Sequence, residues 1–249
     1  MINRINFLDI PLDILTMSQT ISKVEDSIIN KEQIHHCVIN AGKVVQMQDD
    51  IVLKKSVISS DIINADGMGV VWAARLLGHD IKERVTGIDL MQNLVKLSHR
   101  KKYKCFFFGA KEEVVQQVVS YYAEKYSNDF ISGFCNGYYS DQDEKKIVKK
   151  INNSGANILF VALTSPKKEI FLNRHKKDLN KINFIMGVGG SFDVISGFVN
   201  RAPKFMQNLG LEWFYRLIQE PTRMWRRYLI GNIRFVALVL FGKFTSFKK

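Results

Sequence analysis

The alternation of apolar and polar segments predicts an α/β fold, with a Rossmann-like parallel sheet at its core, flanking helices and a helical C-terminal appendage. Several short apolar runs end in small or polar residues, and each is followed by a helical pattern. Strands that alternate with helices in this way favour a parallel sheet with right-handed crossovers. The clearest runs are residues 36–39, 103–108, 157–163 and 182–188.

The composition indicates one ordinary globular body. The 249 residues are 46% hydrophobic and 24% charged, a balance that excludes a disordered chain. The three cysteines, Cys37, Cys105 and Cys135, form no CxxC pair and indicate free thiols in a reducing compartment. Asp9 and Asp13 interrupt the N-terminal apolar stretch, so we do not expect a signal peptide.

The character of the chain changes after Gly210, and we expect a body of residues 1–210 with an appendage of residues 211–249. From Arg216 onward eight basic residues accompany one acid, so +7 of the net charge of +12 lies there. Aromatic side chains between the arginines suit an anionic membrane surface and also suit single-stranded nucleic acid. The longest apolar run, residues 235–241, is far shorter than the roughly 20 residues that a membrane span needs. Pro221 is predicted to begin a new helix.

Polar and small residues at the strand ends are the first candidates for a binding site, because parallel sheets bind ligands beyond their carboxyl ends. Asp66 follows a weaker apolar run at residues 57–63. It suits a general base for a hydroxyl, but spacing alone favours an N-cap for the next helix. The other candidates are Asn40, Gly109, Thr164, Ser165, Gly189 and Gly190.

Phosphate and metal motifs are weak in this sequence. Exposed amides of the turn at residues 187–190 could hold a phosphate, but the turn is neither GxGxxG nor a Walker loop. Asp141 and Asp143 form an Asp-x-Asp that could hold a metal, although Ser140 and Asp143 have the spacing of a capping box, which we favour. The histidines lack metal-ligand spacing, so no metal site is expected; they are His35, His36, His79, His99 and His175.

Seven segments follow one another in an order that is more specific than any one of them. They are ADGMGVVWAARLLG, ERVTGIDL, FFFGA, GYY, LTSPKKE, GVGGSFDVISG and NRAPKFMQNLGLEWFYRLIQEPTRMWRRYL. From residue 40 to residue 228 this pattern resembles the WecG/TagA/CpsF family of bacterial glycosyltransferases. The resemblance implies an inverting hexosyltransferase, similar to N-acetylmannosaminyltransferases, that needs neither metal nor other cofactor. The implied donor is a UDP-sugar, and the implied acceptor is a saccharide on polyprenyl pyrophosphate in cell-surface polysaccharide synthesis.

The resemblance also assigns roles to single residues. It places the catalytic base at Asp66, which reverses the preference for an N-cap, and a catalytic arginine at Arg84, beside the diphosphate or donor sugar. Tail arginines are expected to complete the site when the tail folds over the body. The substrate-binding residues that the resemblance implies are Asn40, Arg216, Arg223 and Arg226. The full set of expected substrate-binding residues adds Gly109, Lys168, Gly187, Gly189, Gly190 and Asp193.

Two departures from the family pattern bear on the identity of the donor and the acceptor. Val38 stands where the family has a threonine, and Lys168 stands where it has a glutamine. A cation at residue 168 could still face a diphosphate or an acidic sugar.

The expected partners are the UDP-sugar, the polyprenyl-linked acceptor and the anionic inner face of the cell membrane, with the protein peripheral on its cytoplasmic side. Nucleic acid is not an expected partner, and the sequence leaves a homo-oligomer open. The alternative is a non-catalytic α/β protein that binds nucleic acid through its basic tail. A Rossmann-type oxidoreductase is disfavoured because GxGxxG is missing.

Overall fold

A parallel six-stranded sheet forms the centre of the fold. The computed structural model describes residues 3–246, and the side chains of residues 223, 227 and 244–246 lie outside this description. The chain opens with an antiparallel hairpin of β1 (Arg4–Phe7) and β2 (Ile10–Asp13). The sheet follows, with β3 (Ile34–Ile39), β4 (Ile62–Ala65), β5 (Cys105–Gly109), β6 (Ile131–Cys135), β7 (Ile158–Ala162) and β8 (Phe184–Gly187).

The strands of the sheet lie in the order β4-β3-β8-β7-β5-β6, and every neighbouring pair is parallel. β3 has the next strand of the chain on one side and the last strand on the other. The loops after β3 and β8 therefore leave the sheet side by side, which is where open α/β sheets usually bind ligands.

Helices cover both faces of the sheet. Those of the body are α1 (Met17–Ile29), α2 (Ala41–Asp49), α3 (Ile51–Ile58), α4 (Met68–Leu76), α5 (Gly87–Lys101), α6 (Glu112–Lys125), α7 (Glu144–Asn152), α8 (Lys167–Arg174), α9 (Ser191–Ile195) and α10 (Lys204–Asn208). The tail forms α11 (Glu212–Gln219), α12 (Pro221–Trp225) and α13 (Gly231–Ser246), and a π-helical turn, Arg226–Ile230, joins the last two.

Burial of the central strands on both faces explains their unbroken apolar sequences. Every residue of β5, β7 and β8 is buried. Side chains alternate across β5, so Phe107 packs with α5 and α6, whereas Phe106 and Phe108 pack with α7 and α8. The predicted α/β fold with a parallel sheet is therefore confirmed.

Three local details differ from the sequence prediction. The run at residues 57–63 is not one strand, because its first two residues end α3 and only Ile62 and Ile63 enter β4. Asp50 begins α3 by accepting the amide hydrogens of Val52 and Leu53, and this cap favours the helix. The hairpin and β6 were not predicted, because the hairpin strands are only four residues long and β6 is half-buried.

The last helix packs against the body. Phe235 and Val239 of α13 are buried in a cluster with the hairpin, α2, α3 and α4, and the ring of Phe235 lies 6.5 Å from that of Phe7. Arg234 makes a two-pronged ion pair with Asp49 of α2, at 2.8 and 2.9 Å. α12 begins at Pro221, as predicted. The division at residue 210 stays a prediction.

None of the helices within residues 3–246 combines the length and the apolar character needed to cross a bilayer. The tail nevertheless exposes many large apolar side chains. Those on or near α13 are Leu229, Ile230, Ile233, Val236, Leu240 and Phe241.

The two valines of α13 provide a test of this packing. Val239 is 4% exposed and Val236 is 55% exposed. We expect Val239→Ala to lower the free energy of unfolding by about 1.5–3 kcal/mol, because it removes buried methyl groups and leaves a cavity. Val236→Ala should change it by less than about 0.5 kcal/mol. Urea unfolding of both variants measures the difference, and equal effects would show that α13 is not docked in solution.

Candidate active site

Asn40 and Asp66 lie side by side at the carboxyl edge of the sheet. Asn40 follows β3 and caps α2, where its Oδ1 accepts the Lys43 amide hydrogen at 3.0 Å. Asp66 follows β4, and its amide donates to the Ile39 carbonyl at 2.8 Å. A methyl group on Gly67 would lie only 3.7 Å from Asn40 Cβ, so the two strand ends are in contact.

The carboxylate of Asp66 does not cap the helix that follows it. Gly67 occupies the N-cap position of α4, and no side chain caps this helix. Asp66 Oδ1 instead accepts the amide hydrogen of Gly87, at 3.2 Å. The N-cap interpretation is therefore wrong, and this half-buried carboxylate keeps acceptor capacity toward the edge of the sheet.

The pKa of Asp66 is raised from 3.8 to about 7. Burial is the largest cause, since it penalises the charged form, and the negative charge of Glu212 adds to it. The Gly87 amide and the positive charges of Lys43 and Arg84 act in the opposite direction. A carboxyl group with this pKa can accept a proton near neutral pH and release it again, as a general base must.

Arg84 lies in the segment before α5 and contacts the tail. Its Nη1 donates to Glu212 Oε2 at the start of α11, and both side chains are partly buried. Glu212 Oε1 lies 3.8 Å from Arg201 Nε. Arg201 in turn donates both Nη groups to the carboxylate of Asp89 at the start of α5, at 2.7 and 2.8 Å. Positive and negative charges thus alternate along a row of two arginines and two carboxylates, in which Glu212 is the member from α11.

The glycine turn after β8 meets a tail arginine. A methyl group on Gly190 would lie 2.9 Å from Arg216 Nη2 and 3.4 Å from Asp193 Oδ2, so both side chains border this glycine. Gly189 has a φ of +51°, and nothing lies within 4 Å of the place where its side chain would be. The turn is therefore open, and a cation stands beside it, as a phosphate site requires.

Lys168 is buried in an ionic cluster behind the turn. Its Nζ lies 2.6 Å from Glu169 Oε1, which also lies 2.8 Å from Lys43 Nζ. Burial favours the neutral acid, but the two ammonium groups outweigh it and hold the pKa of Glu169 at about 2. Gly187 is needed here, because a side chain would lie 2.5 Å from the Lys168 stem. A contact between Lys168 and the donor stays a prediction.

The remaining predicted residues lie in different surroundings. Gly109 ends β5 with a φ of +117°, and a side chain there would lie 2.7 Å from the backbone of Ala162. Arg226 is exposed, with its guanidinium 5.3 Å from the ring centre of Trp225. The side chain of Arg223 lies outside the described residues. Thr164 and Ser165 follow β7 at the same edge of the sheet.

Among the described residues, no three His, Cys, Asp or Glu side chains gather as they would around a metal ion. The predicted capping box is wrong in detail. Ser140 Oγ donates to the Asp143 carboxylate at 2.6 Å and does not accept from the backbone, because a short 3₁₀ turn, Asp141–Asp143, precedes α7. Metal-independent activity stays a prediction.

Four charged residues of this region were not predicted. Lys43 and Glu169 form the buried ionic cluster, and Arg201 and Glu212 link the body to α11. Glu212 and Arg84 are 128 residues apart in the chain, so no local spacing predicts their pairing. The sequence signals were that Glu169 ends the segment LTSPKKE and that Arg201 and Glu212 lie within the longest segment of the family pattern.

A family described as the glycosyl transferase WecG/TagA/CpsF family matches residues 5–249. The chain belongs to this family. It is 42% identical over 171 residues to a protein from Bacillus subtilis (strain 168), and 39% identical over 171 residues to one from Bacillus spizizenii. Both relatives are named N-acetylglucosaminyldiphosphoundecaprenol N-acetyl-beta-D-mannosaminyltransferase. Each alignment covers 69% of this chain and 65% of the relative, slightly less than two thirds of its length.

The raised pKa of Asp66 predicts how this family member responds to pH. Because the folded state favours the neutral carboxyl, Asp66 stabilises the protein below pH 4, and this contribution is lost as the pH rises through about 7. We expect Asp66→Asn to be more stable than the wild type at pH 8, and to have a clearly smaller advantage at pH 5. Urea unfolding at both values tests this, with Asp80→Asn as the exposed control. An equal effect of Asp66→Asn at both pH values would contradict the raised pKa.

Proposed function

We propose that this protein is an inverting glycosyltransferase that moves a sugar from a UDP-sugar to a saccharide on polyprenyl pyrophosphate. The observation that supports this most directly is the Asp66 carboxyl group. It is half-buried at the carboxyl edge of the sheet, has a pKa of about 7 and has Arg84 as a charged neighbour. Both Bacillus relatives are named as N-acetylmannosaminyltransferases that act on N-acetylglucosaminyldiphosphoundecaprenol. N-acetylmannosamine is therefore the first donor sugar to test.

In the proposed reaction, Asp66 takes the proton of an acceptor hydroxyl. The oxygen of that hydroxyl attacks the anomeric carbon of the donor sugar, and the bond to UDP breaks in the same displacement. The configuration at the anomeric carbon is inverted because only one displacement occurs. A positioned base of this kind typically contributes about 10²–10⁴-fold to the rate.

The leaving diphosphate gains negative charge, and cations and amide groups of the protein stabilise it without a divalent metal. Arg84 and Arg216 are the proposed cations, and the open turn at Gly189 and Gly190 offers amides. Arg223 and Arg226 are proposed to join them from the tail. Asn40, Asp193, Lys168 and Gly109 remain proposed substrate-binding residues at the same edge.

The tail is proposed to hold the protein on an anionic membrane surface, where a polyprenyl-linked acceptor resides. Phe235 and Val239 bury one face of α13 against the body, while Ile233, Val236 and Leu240 remain exposed. Large apolar side chains among basic residues suit the interface between lipid headgroups and acyl chains. Each basic residue close to anionic lipid adds about 1 kcal/mol.

Substitution of the base tests the reaction. We expect Asp66→Asn to lower kcat by about 10²–10⁴-fold, because the amide cannot accept the proton. For the wild type, kcat/KM should fall as the pH drops below about 7, because the base becomes protonated. UDP release from UDP-N-acetylmannosamine is measured in EDTA, with polyprenyl-pyrophosphate-linked N-acetylglucosamine as acceptor.

Asp80→Asn is the matched control and should leave turnover unchanged. Near-normal turnover by folded Asp66→Asn would remove Asp66 as the base. Loss of all wild-type activity in EDTA, with recovery on addition of magnesium or manganese, would contradict the metal-free reaction.

The exposed face of α13 gives a separate test of membrane contact. We expect the double variant Ile233→Gln, Val236→Gln to bind phosphatidylglycerol vesicles at least 10-fold more weakly, because it removes apolar contact with the bilayer. The matched control is Ile51→Gln, Val52→Gln, which changes two exposed apolar residues of the body. Vesicle co-sedimentation measures both, and equal loss in the two variants would show that α13 is not the contact.

A further inference from the structure

An acidic side chain of the tail lies at the candidate active site and has no part in the reaction proposed above. Glu212 is the first residue of α11. It accepts a hydrogen bond from Arg84, and its second oxygen lies 3.8 Å from Arg201. The arginine proposed to stabilise the diphosphate is therefore held by a carboxylate that arrives from another part of the chain.

This contact differs from an ordinary surface ion pair. The Arg84 side chain is only 15% exposed and the Glu212 side chain 31% exposed, so water screens the pair less than it screens exposed charges. Arg84 keeps further N–H groups for a second anion, because a guanidinium has five. Glu212 can therefore fix the direction of Arg84 and still leave it able to contact a phosphate.

The same helix contacts the site at a second point. Arg216 follows Glu212 by four residues, which places both on one face of α11. Glu212 contacts Arg84 on the segment before α5, and Arg216 borders Gly190 in the turn after β8. One face of α11 thus joins the two segments that are proposed to hold the diphosphate.

We infer that Glu212 is a positioning residue of the proposed transfer reaction, through which the docking of α11 holds Arg84 beside Asp66. The inference rests on the proposed function, and it assigns a role to an acid in a tail whose excess charge is basic. Arg201 supports the arrangement, because its two-pronged ion pair with Asp89 links the Glu212 contact to the start of α5.

The charge of Glu212 also acts on the base. The groups that face Asp66 are Glu212 of α11, Lys43 of α2, and Arg84 and the Gly87 amide of the segment that enters α5; the guanidinium of Arg201 also interacts with its charge. Glu212 raises the pKa of Asp66, whereas Lys43, Arg84 and the amide lower it. Loss of the Glu212 charge should therefore make Asp66 a weaker base that stays ionised to lower pH.

Three variants of the full chain test the inference in the UDP-release assay between pH 5 and pH 9. Glu212→Gln should lower kcat by about 10–10²-fold, because a small misplacement of a positioned group costs this much. Its KM for UDP-N-acetylmannosamine should not rise, since a negative charge near the diphosphate is lost. The acid limb of its kcat/KM profile, where activity falls as the pH drops, should move to lower pH.

Glu212→Asp keeps the negative charge on a shorter side chain. Its kcat should therefore fall while the acid limb of its profile stays in place. Glu113→Gln, an exposed change on α6, should match the wild type.

Two kinetic results would overturn the inference. A higher kcat/KM in Glu212→Gln would show that Glu212 competes with the diphosphate for Arg84 and acts as a block. A lower kcat with an unmoved acid limb in Glu212→Gln would show that Glu212 has only a general structural role.

Amide hydrogen exchange of α11 separates this inference from the proposed function, since it needs no turnover. Exchange across residues 212–219 should be faster in Glu212→Gln than in the wild type and unchanged in Glu113→Gln. If the wild type transferred no sugar, the proposed function would fail, and the exchange rates would still decide whether Glu212 holds α11 to the body. Unchanged exchange in Glu212→Gln would contradict the inference.

Discussion

The rest of the candidate active site depends on the burial of the Asp66 carboxyl group at the end of β4. A carboxylate removed from water strongly favours its neutral form, and burial is the main reason why the pKa of Asp66 reaches about 7. One amide hydrogen bond from Gly87 and the nearby charges of Lys43 and Arg84 prevent a larger rise. The next residue, Gly67, lies beside Asn40, so the ends of β4 and β3 are in contact at this place. The sheet thus supplies an acid whose proton affinity is set by neighbours on several different segments.

The tail takes part in the candidate active site, and it also carries the exposed apolar face of α13. α13 is fixed to the body by Phe235 and Val239, and α11 contacts Arg84 and borders Gly190. Apolar packing holds α13, whereas the contacts of α11 with the body described above are made by charged side chains. In the proposed function, contact of the tail with the membrane would bring the charged side chains of α11 to the surface where the acceptor resides. This coupling is possible because α11 and α13 belong to one segment of the chain, joined through α12 and a π-helical turn.

The sequence predicted the parts of this structure that depend on local pattern. The apolar runs at residues 103–108 and 157–163 correspond to β5 and β7, since parallel strands buried on both faces have unbroken apolar sequences. The order of the seven segments identified the family, and the site residues named with it remain predictions. The ion pairs were beyond sequence reasoning, because Glu212 and Arg84 are 128 residues apart in the chain, with β5 to β8 between them. The hairpin and β6 were missed for a different reason, since very short or half-buried strands leave little pattern to detect.

The buried cluster of Lys43, Glu169 and Lys168 shows how a departure from the family pattern can be accommodated. An ammonium group in place of a neutral amide must be paired when it is buried, and Glu169 contacts it at 2.6 Å. Glu169 also pairs with Lys43, so this cluster of two ammonium groups and one carboxylate has a net positive charge. Burial and the neighbouring Lys43 both lower the pKa of Lys168, because each disfavours a second ammonium at this place. Lys43 is also one of the charges that act on Asp66, and an excess of positive charge behind the sheet edge favours the ionised form of that carboxyl group. Of this cluster, Lys43 therefore acts on the proposed base, whereas a contact between Lys168 and a substrate stays a prediction.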